Sequence, residues 1–118
     1  MNDQLARIDF DERDGVLVAS VHGELDISNA VATGDAIAAE VTNEARGLVV
    51  DFSELEFLDS SGISMLFSLA RKLAERRQRL HLVAPRGEAV ARVLDIVEFD
   101  RAAPVHASVD DALADISG

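Results

Sequence analysis

Apolar positions alternate every second residue in some stretches of the chain and recur every three to four in others, and the changes of period outline its elements. Leu5, Ile8 and Phe10 precede the charged turn DERDG, and VLVASVHGELD follows it. Asp14-Gly15 at that turn predicts a hairpin of two antiparallel strands. In the second strand Val16, Val18 and Ser20 alternate with Leu17, Ala19 and Val21, so both faces are largely apolar, as a central strand requires. ISNAVATGDAIAAEVTN then carries Ala30, Val31, Gly34, Ile37, Ala38 and Val41 at helical spacing, with Asp35 and Glu40 off that face. Ser28 is the predicted N-cap and Asn43 the predicted stop. GLVVDF, entered through Gly47, reads as a short buried strand of the parallel type.

A second helix follows Leu58-Asp59-Ser60-Ser61-Gly62. Ile63, Leu66, Phe67, Ala70, Leu73 and Ala74 form its apolar stripe, and Ser64, Ser68, Arg71 and Glu75 line the other side. RLHLVAP is a strand stopped by Pro85, and GEAVARVLDIV a helix with Val90, Val93, Leu94 and Val97 inward. VHAS reads as a short last strand and VDDALADI as a helix capped by Ser108. The order β-β-α-β-α-β-α-β-α predicts one α/β domain over residues 1–118. Its sheet is mixed but mostly parallel, with an N-terminal antiparallel hairpin and about four helices.

Composition narrows the function classes. With 22 acidic against 11 basic residues, the net charge is −11, which repels nucleic-acid phosphates and attracts a basic protein surface. No basic patch interleaved with aromatic residues counters that field, so no nucleic-acid partner is expected. There is no cysteine, hence no disulfide, thiol nucleophile or cysteine-held metal. No stretch is long and apolar enough to span a bilayer, and MNDQLARIDFDERDG is acidic where a secretory signal starts positive. The expected setting is the cytoplasm, without membrane insertion.

Candidate chemistry is sparse. His22, His81 and His106 stand apart in the sequence, and none forms a helical pair suited to zinc. Neither a Walker loop nor G-x-G-x-x-G occurs, so no metal or cofactor is expected. Ser60 and Ser61 sit at a strand-to-helix junction like a nucleophile elbow, but G-x-S-x-G is absent, and GIS at 62–64 lacks the second glycine. A receiver-domain reading of LVVDFSELEFLD fails on the opening hairpin and on HLVAP, which has no lysine before its proline.

LDSSG itself admits two readings. Asp and Ser cap helices by accepting hydrogen bonds from free first-turn amides. Alternatively, one hydroxyl is displayed at a helix start for modification. A phosphoryl group on Ser60 would then be accepted locally by first-turn amides and the helix dipole, beside Asp59. Gly62 supplies a permissive turn or lets another backbone approach.

LDSSGISML at 58–66, GELD at 23–26, and AP at 84–85 followed by VARVLDI together resemble the STAS domain family, specifically its stand-alone bacterial anti-sigma factor antagonists. The resemblance covers nearly the whole chain. Ser64 departs from it where a second glycine is common, and Val97 where a glycine often follows the third helix. It implies that Ser60, the first Ser after Asp, is the phosphorylation site. It implies partner switching: the unphosphorylated protein binds an anti-sigma factor with serine kinase activity and frees a sigma factor. The kinase phosphorylates Ser60 and releases the antagonist, and a serine phosphatase resets it. Such a protein is a substrate and binder, not an enzyme.

Asp26, Asp59, Ser61, Gly62, Ser64 and Met65 are the candidate partner-binding residues around Ser60. Asp26 and Asp59 end or follow strands and are expected near one another. They either orient the hydroxyl and meet basic partner residues, or stabilise a turn and cap a helix. Met65 and Leu69 either offer an adaptable apolar contact or complete the core edge. Two other readings stay open: a STAS regulatory subunit of a transporter or stress-sensing assembly, and a small serine-dependent enzyme.

Overall fold

The computed structural model describes residues 6–117, so Leu5 lies outside the described residues. β1 (Ala6–Arg13) and β2 (Val16–Leu25) form the expected hairpin, with Ala6 opposite Gly23 and Arg13 opposite Val16. Asp14 (φ 54°) and Gly15 (φ 84°) both take left-handed backbone, the turn geometry that matches the twist of the flanking strands.

β2 has two parallel neighbours in succession. Val16–Ser20 pair with β3 (Gly47–Asp51), and Gly23–Leu25 pair with β4 (Leu55–Leu58). β4 was not expected, because its four residues are buried only at the two ends and show no alternation. The chain reaches it through a turn in which Asp51 Oδ1 accepts from the Ser53 amide (2.9 Å) and hydroxyl (2.6 Å). The Leu55 amide closes that turn on the Phe52 carbonyl at 3.1 Å. β5 (Leu80–Val83) and β6 (Val105–His106) complete the order β1-β2-β3-β5-β6, with β4 beside β2. All pairings except the hairpin are parallel.

Alternation along the strands feeds two layers. Ala19, Val21, Leu48, Val50 and Leu82 meet α1 (Ala30–Glu40), α2 (Ser60–Glu75) and α3 (Ala89–Ile96) on one face. Val16, Val18, Val49 and Val83 meet α4 (Val109–Ser117) on the other. Ser108 caps α4 as expected, its Oγ accepting from the Asp111 amide at 3.1 Å. A short 3-10 turn, Phe99–Arg101, was missed; it buries Phe99 edge-on against Phe67, ring centres 5.0 Å apart.

Several local expectations are corrected. Val31 is 74% exposed, and Thr33 takes the inward position, because α1 presents only Ala30, Thr33, Gly34 and Ile37 inward. Ser28 is not the N-cap: that position is Asn29, and the Ser28 hydroxyl donates to Asp26 instead. Asn43 does not stop α1, which ends at Glu40; its Oδ1 accepts from Arg76 at 3.2 Å. Ala74 is exposed, whereas Met65 and Leu69 join the core of α2.

Met65 lies against Gly34, where a Cβ would come within 2.6 Å of its Cγ, so the two helices touch through a glycine and an unbranched side chain. Met65→Ala is expected to lower stability by about 2–4 kcal/mol in urea unfolding, as for other buried large-to-small changes. A change below about 0.5 kcal/mol would place Met65 outside the core.

Candidate functional site

The carboxyl ends of β2 and β4 lie side by side, because Leu25 and Leu58 are register partners. Asp26 and Asp59, the next residue of each, are therefore neighbours, as expected, and the Asp59 amide donates to the Leu25 carbonyl at 3.1 Å. Both carboxylates are engaged locally. Asp59 is the N-cap of α2: its Oδ1 accepts from the amides of Ser61 (2.9 Å) and Gly62 (3.3 Å). Its carbonyl accepts from Ile63 at 3.1 Å. Asp26 Oδ1 accepts from the Ser28 hydroxyl (2.6 Å) and amide (2.9 Å), and these two bonds hold its pKa below the usual carboxylate value.

Asn29 braces this turn, a role not expected from the residue pattern. Its Oδ1 accepts from the Asp26 amide at 3.0 Å, and its Nδ2 donates to the Glu24 carbonyl at 2.8 Å. Thus Asp26 stabilises the entry to α1 and Asp59 caps α2, the local roles among the alternatives above. The Asp-x-Ser-Asn spacing is the signal that would have found the turn.

Ser60 is the first residue of α2 and is exposed. Of the four amides that open the helix without intrahelical partners, the Asp59 carboxylate takes those of Ser61 and Gly62 and the Leu25 carbonyl takes that of Asp59, which leaves that of Ser60 itself. In the unmodified chain the first-turn amides expected to receive a phosphate on Ser60 are mostly engaged already, with that of Ser60 left free. Gly62 is buried, and a Cβ there would run into Leu58 Cδ1 and come within 3.1 Å of Leu25 Cβ. Its small size lets the first turn of α2 settle on the strand ends. The close approach it permits is within the chain.

A groove of about 560 Å³ runs between α1 and α2, lined by Val31, Gly34, Ser61, Ser64, Ser68 and Lys72. Ser64 is exposed on it, Ser61 half-buried, and Met65 forms its floor with only 7% of its surface open. Ile27, 84% exposed, and Val31 add apolar surface beside Asp26 and the groove. Periodicity hid Val31 by placing it on the inward face, and nothing in the pattern singled out Ile27.

The mixed sheet, with α2 opening on Asp59-Ser60-Ser61-Gly62 beside the end of β2, is the architecture of a STAS domain, and the STAS domain family model matches residues 7–112. The chain belongs to that family, on its anti-sigma factor antagonist branch. It is 31% identical over 107 residues to the anti-sigma-F factor antagonist RsfB of Mycobacterium tuberculosis, covering 91% of this chain and 86% of RsfB. The crystal structure of an anti-sigma factor antagonist from Mycobacterium paratuberculosis superposes with a TM-score of 0.86 at 34% identity, covering 96% of this chain and 95% of that one. The fold is also that of the Bacillus protein SpoIIAA at 21% identity in its unphosphorylated form and 20% in its phosphorylated form. Their TM-scores are 0.70 and 0.68; the matches cover 95% and 93% of this chain, and 99% of SpoIIAA in each form.

Removing the cap isolates its contribution. Asp59→Ala is expected to cost about 1 kcal/mol in urea unfolding, and Asp59→Asn a few tenths. Ser60→Ala should stay within about 0.5 kcal/mol of the parent. A loss at Ser60→Ala equal to that at Asp59→Ala would mean that the hydroxyl is structural.

Proposed function

We infer that the protein is an anti-sigma factor antagonist that works by partner switching, and that Ser60 is the switch. The observation that carries this reading is the exposed hydroxyl on the first residue of α2, on a turn already held by Asp59 and Gly62. A side chain in that place can be modified without dismantling what supports it. RsfB, named an anti-sigma-F factor antagonist, matches along nearly its whole length, and SpoIIAA is known in both phosphorylation states on this fold.

In the unphosphorylated state, Ile27, Val31 and the serine-lined groove offer an apolar patch with adaptable hydrogen-bonding groups around Ser60. The partner is an anti-sigma factor with serine kinase activity, and the −11 charge favours a basic surface on it. That kinase transfers the γ-phosphoryl of ATP to Ser60 Oγ. The new O–P bond replaces the β–γ bridge, the hydroxyl proton passes to the kinase, and ADP leaves. The product carries about −1.5 to −2 extra charge beside Asp59, with little amide surface to absorb it. Repulsion and desolvation at the interface then release the partner, and a serine phosphatase restores the hydroxyl. On this reading the protein is a substrate and a binder, in keeping with the antagonist branch of the family.

Incubation with the cognate kinase and ATP is expected to add one phosphate, at Ser60, with none on Ser60→Ala. Ser60→Asp should fold as the parent does yet bind the kinase at least tenfold more weakly in calorimetry, and parent binding should weaken as salt rises. Equal affinity for parent and Ser60→Asp, or phosphate on Ser61 alone, would overturn the reading. A stable transporter complex indifferent to Ser60→Asp would favour the regulatory-subunit alternative.

A further inference from the structure

His81 and His106, far apart in the chain, are brought together by the parallel pairing of β5 with β6, where Val83 faces His106. His81 Nδ1 and His106 Nε2 are 3.1 Å apart, and their rings lie within 20° of parallel. Asp115, on the last turn of α4, places Oδ2 at 3.6 Å from each of those same two nitrogens. This cluster lies on the α4 face of the sheet, whereas Ser60 and the groove lie on the face of α1–α3.

The carboxylate spacing is the informative part. At 3.6 Å, Asp115 Oδ2 is too far to hydrogen-bond either ring, although it stands equidistant from both nitrogens. An ion between the groups accounts for such a spacing, since ligand atoms on a tetrahedral centre with bonds of about 2.0–2.1 Å are separated by about 3.3 Å. The circle through the three atoms has a radius of about 2.0 Å, so one ion would sit within bonding distance of all three at once. His81 is buried, so the ligand set is anchored in the body of the fold and not on a mobile surface side chain.

We propose that His81, His106 and Asp115 form a site for one divalent transition-metal ion, with zinc best suited to the two imidazoles and one carboxylate. Two borderline nitrogen donors disfavour magnesium and calcium, which take oxygen ligands. Asp115 is half exposed, so the fourth position opens to solvent and takes a water or a donor from another molecule. Bound there, the ion ties the C-terminal helix to the β5–β6 edge. That edge is a two-residue strand, and α4 covers it through few buried side chains, Ala112 being the fully buried one.

The full chain, stripped with chelator and titrated with zinc chloride, is expected to bind one ion in calorimetry and to melt at a higher temperature with zinc present. Cobalt(II) in its place should show the visible bands of a four-coordinate centre. Asp115→Asn and His106→Gln should each weaken zinc binding at least tenfold while circular dichroism stays unchanged, and His22→Gln should bind as the parent does. His106→Gln has the larger packing effect, so Asp115→Asn, at a half-exposed position, decides the matter if the former fails to fold. No uptake at one equivalent, or undiminished uptake by Asp115→Asn, would overturn the site.

Discussion

The exposed tip of this molecule depends on what the Asp59 carboxylate does with the first turn of α2. Held to the Leu25 carbonyl through its own amide, it caps Ser61 and Gly62 with one oxygen and so joins the end of the sheet to the start of the helix. Gly62 makes this junction possible, because any larger residue would press on Leu58 and Leu25. The consequence for Ser60 follows from position. It is the first residue of α2, directly after the cap, and it is exposed.

That arrangement separates support from signal. The hydrogen bonds that hold the tip run through Asp59, Asp26, Ser28 and Asn29, and none of them uses Ser60. On the proposed reading, added charge at Ser60 would meet a first turn with one free amide, and most of its electrostatic effect would fall on a partner docked against Ile27, Val31 and the groove. On the same reading the excess of acidic residues would act in the same direction, drawing a basic surface in at long range and sharpening the penalty of one more anion at close range.

Much of this was legible in the chain, for local reasons. Asp14-Gly15 specifies its own turn, the apolar runs specify strands and helices, and LDSSG marks a cap whose geometry the structure bears out in Asp59. Elements whose placement depends on distant partners were not legible. β4 is too short to show a period and owes its existence to the free second half of β2. Val31 has helical spacing yet points outward, because α1 turns Ala30, Thr33, Gly34 and Ile37 inward and leaves Val31 on the edge of the groove. His81, His106 and Asp115 come together only through strand register and the docking of α4, neither of which a single sequence displays.

The central claim is that charge at Ser60 changes what the surface binds and leaves the fold beneath it intact. The most direct test is amide NMR of the protein before and after stoichiometric phosphorylation of Ser60, with hydrogen exchange read at Ser61, Gly62 and Ile63. The account predicts shift changes confined to the strand ends and the first turn of α2, with those three amides as protected as before. Loss of their protection, or shift changes spreading through the sheet, would contradict it.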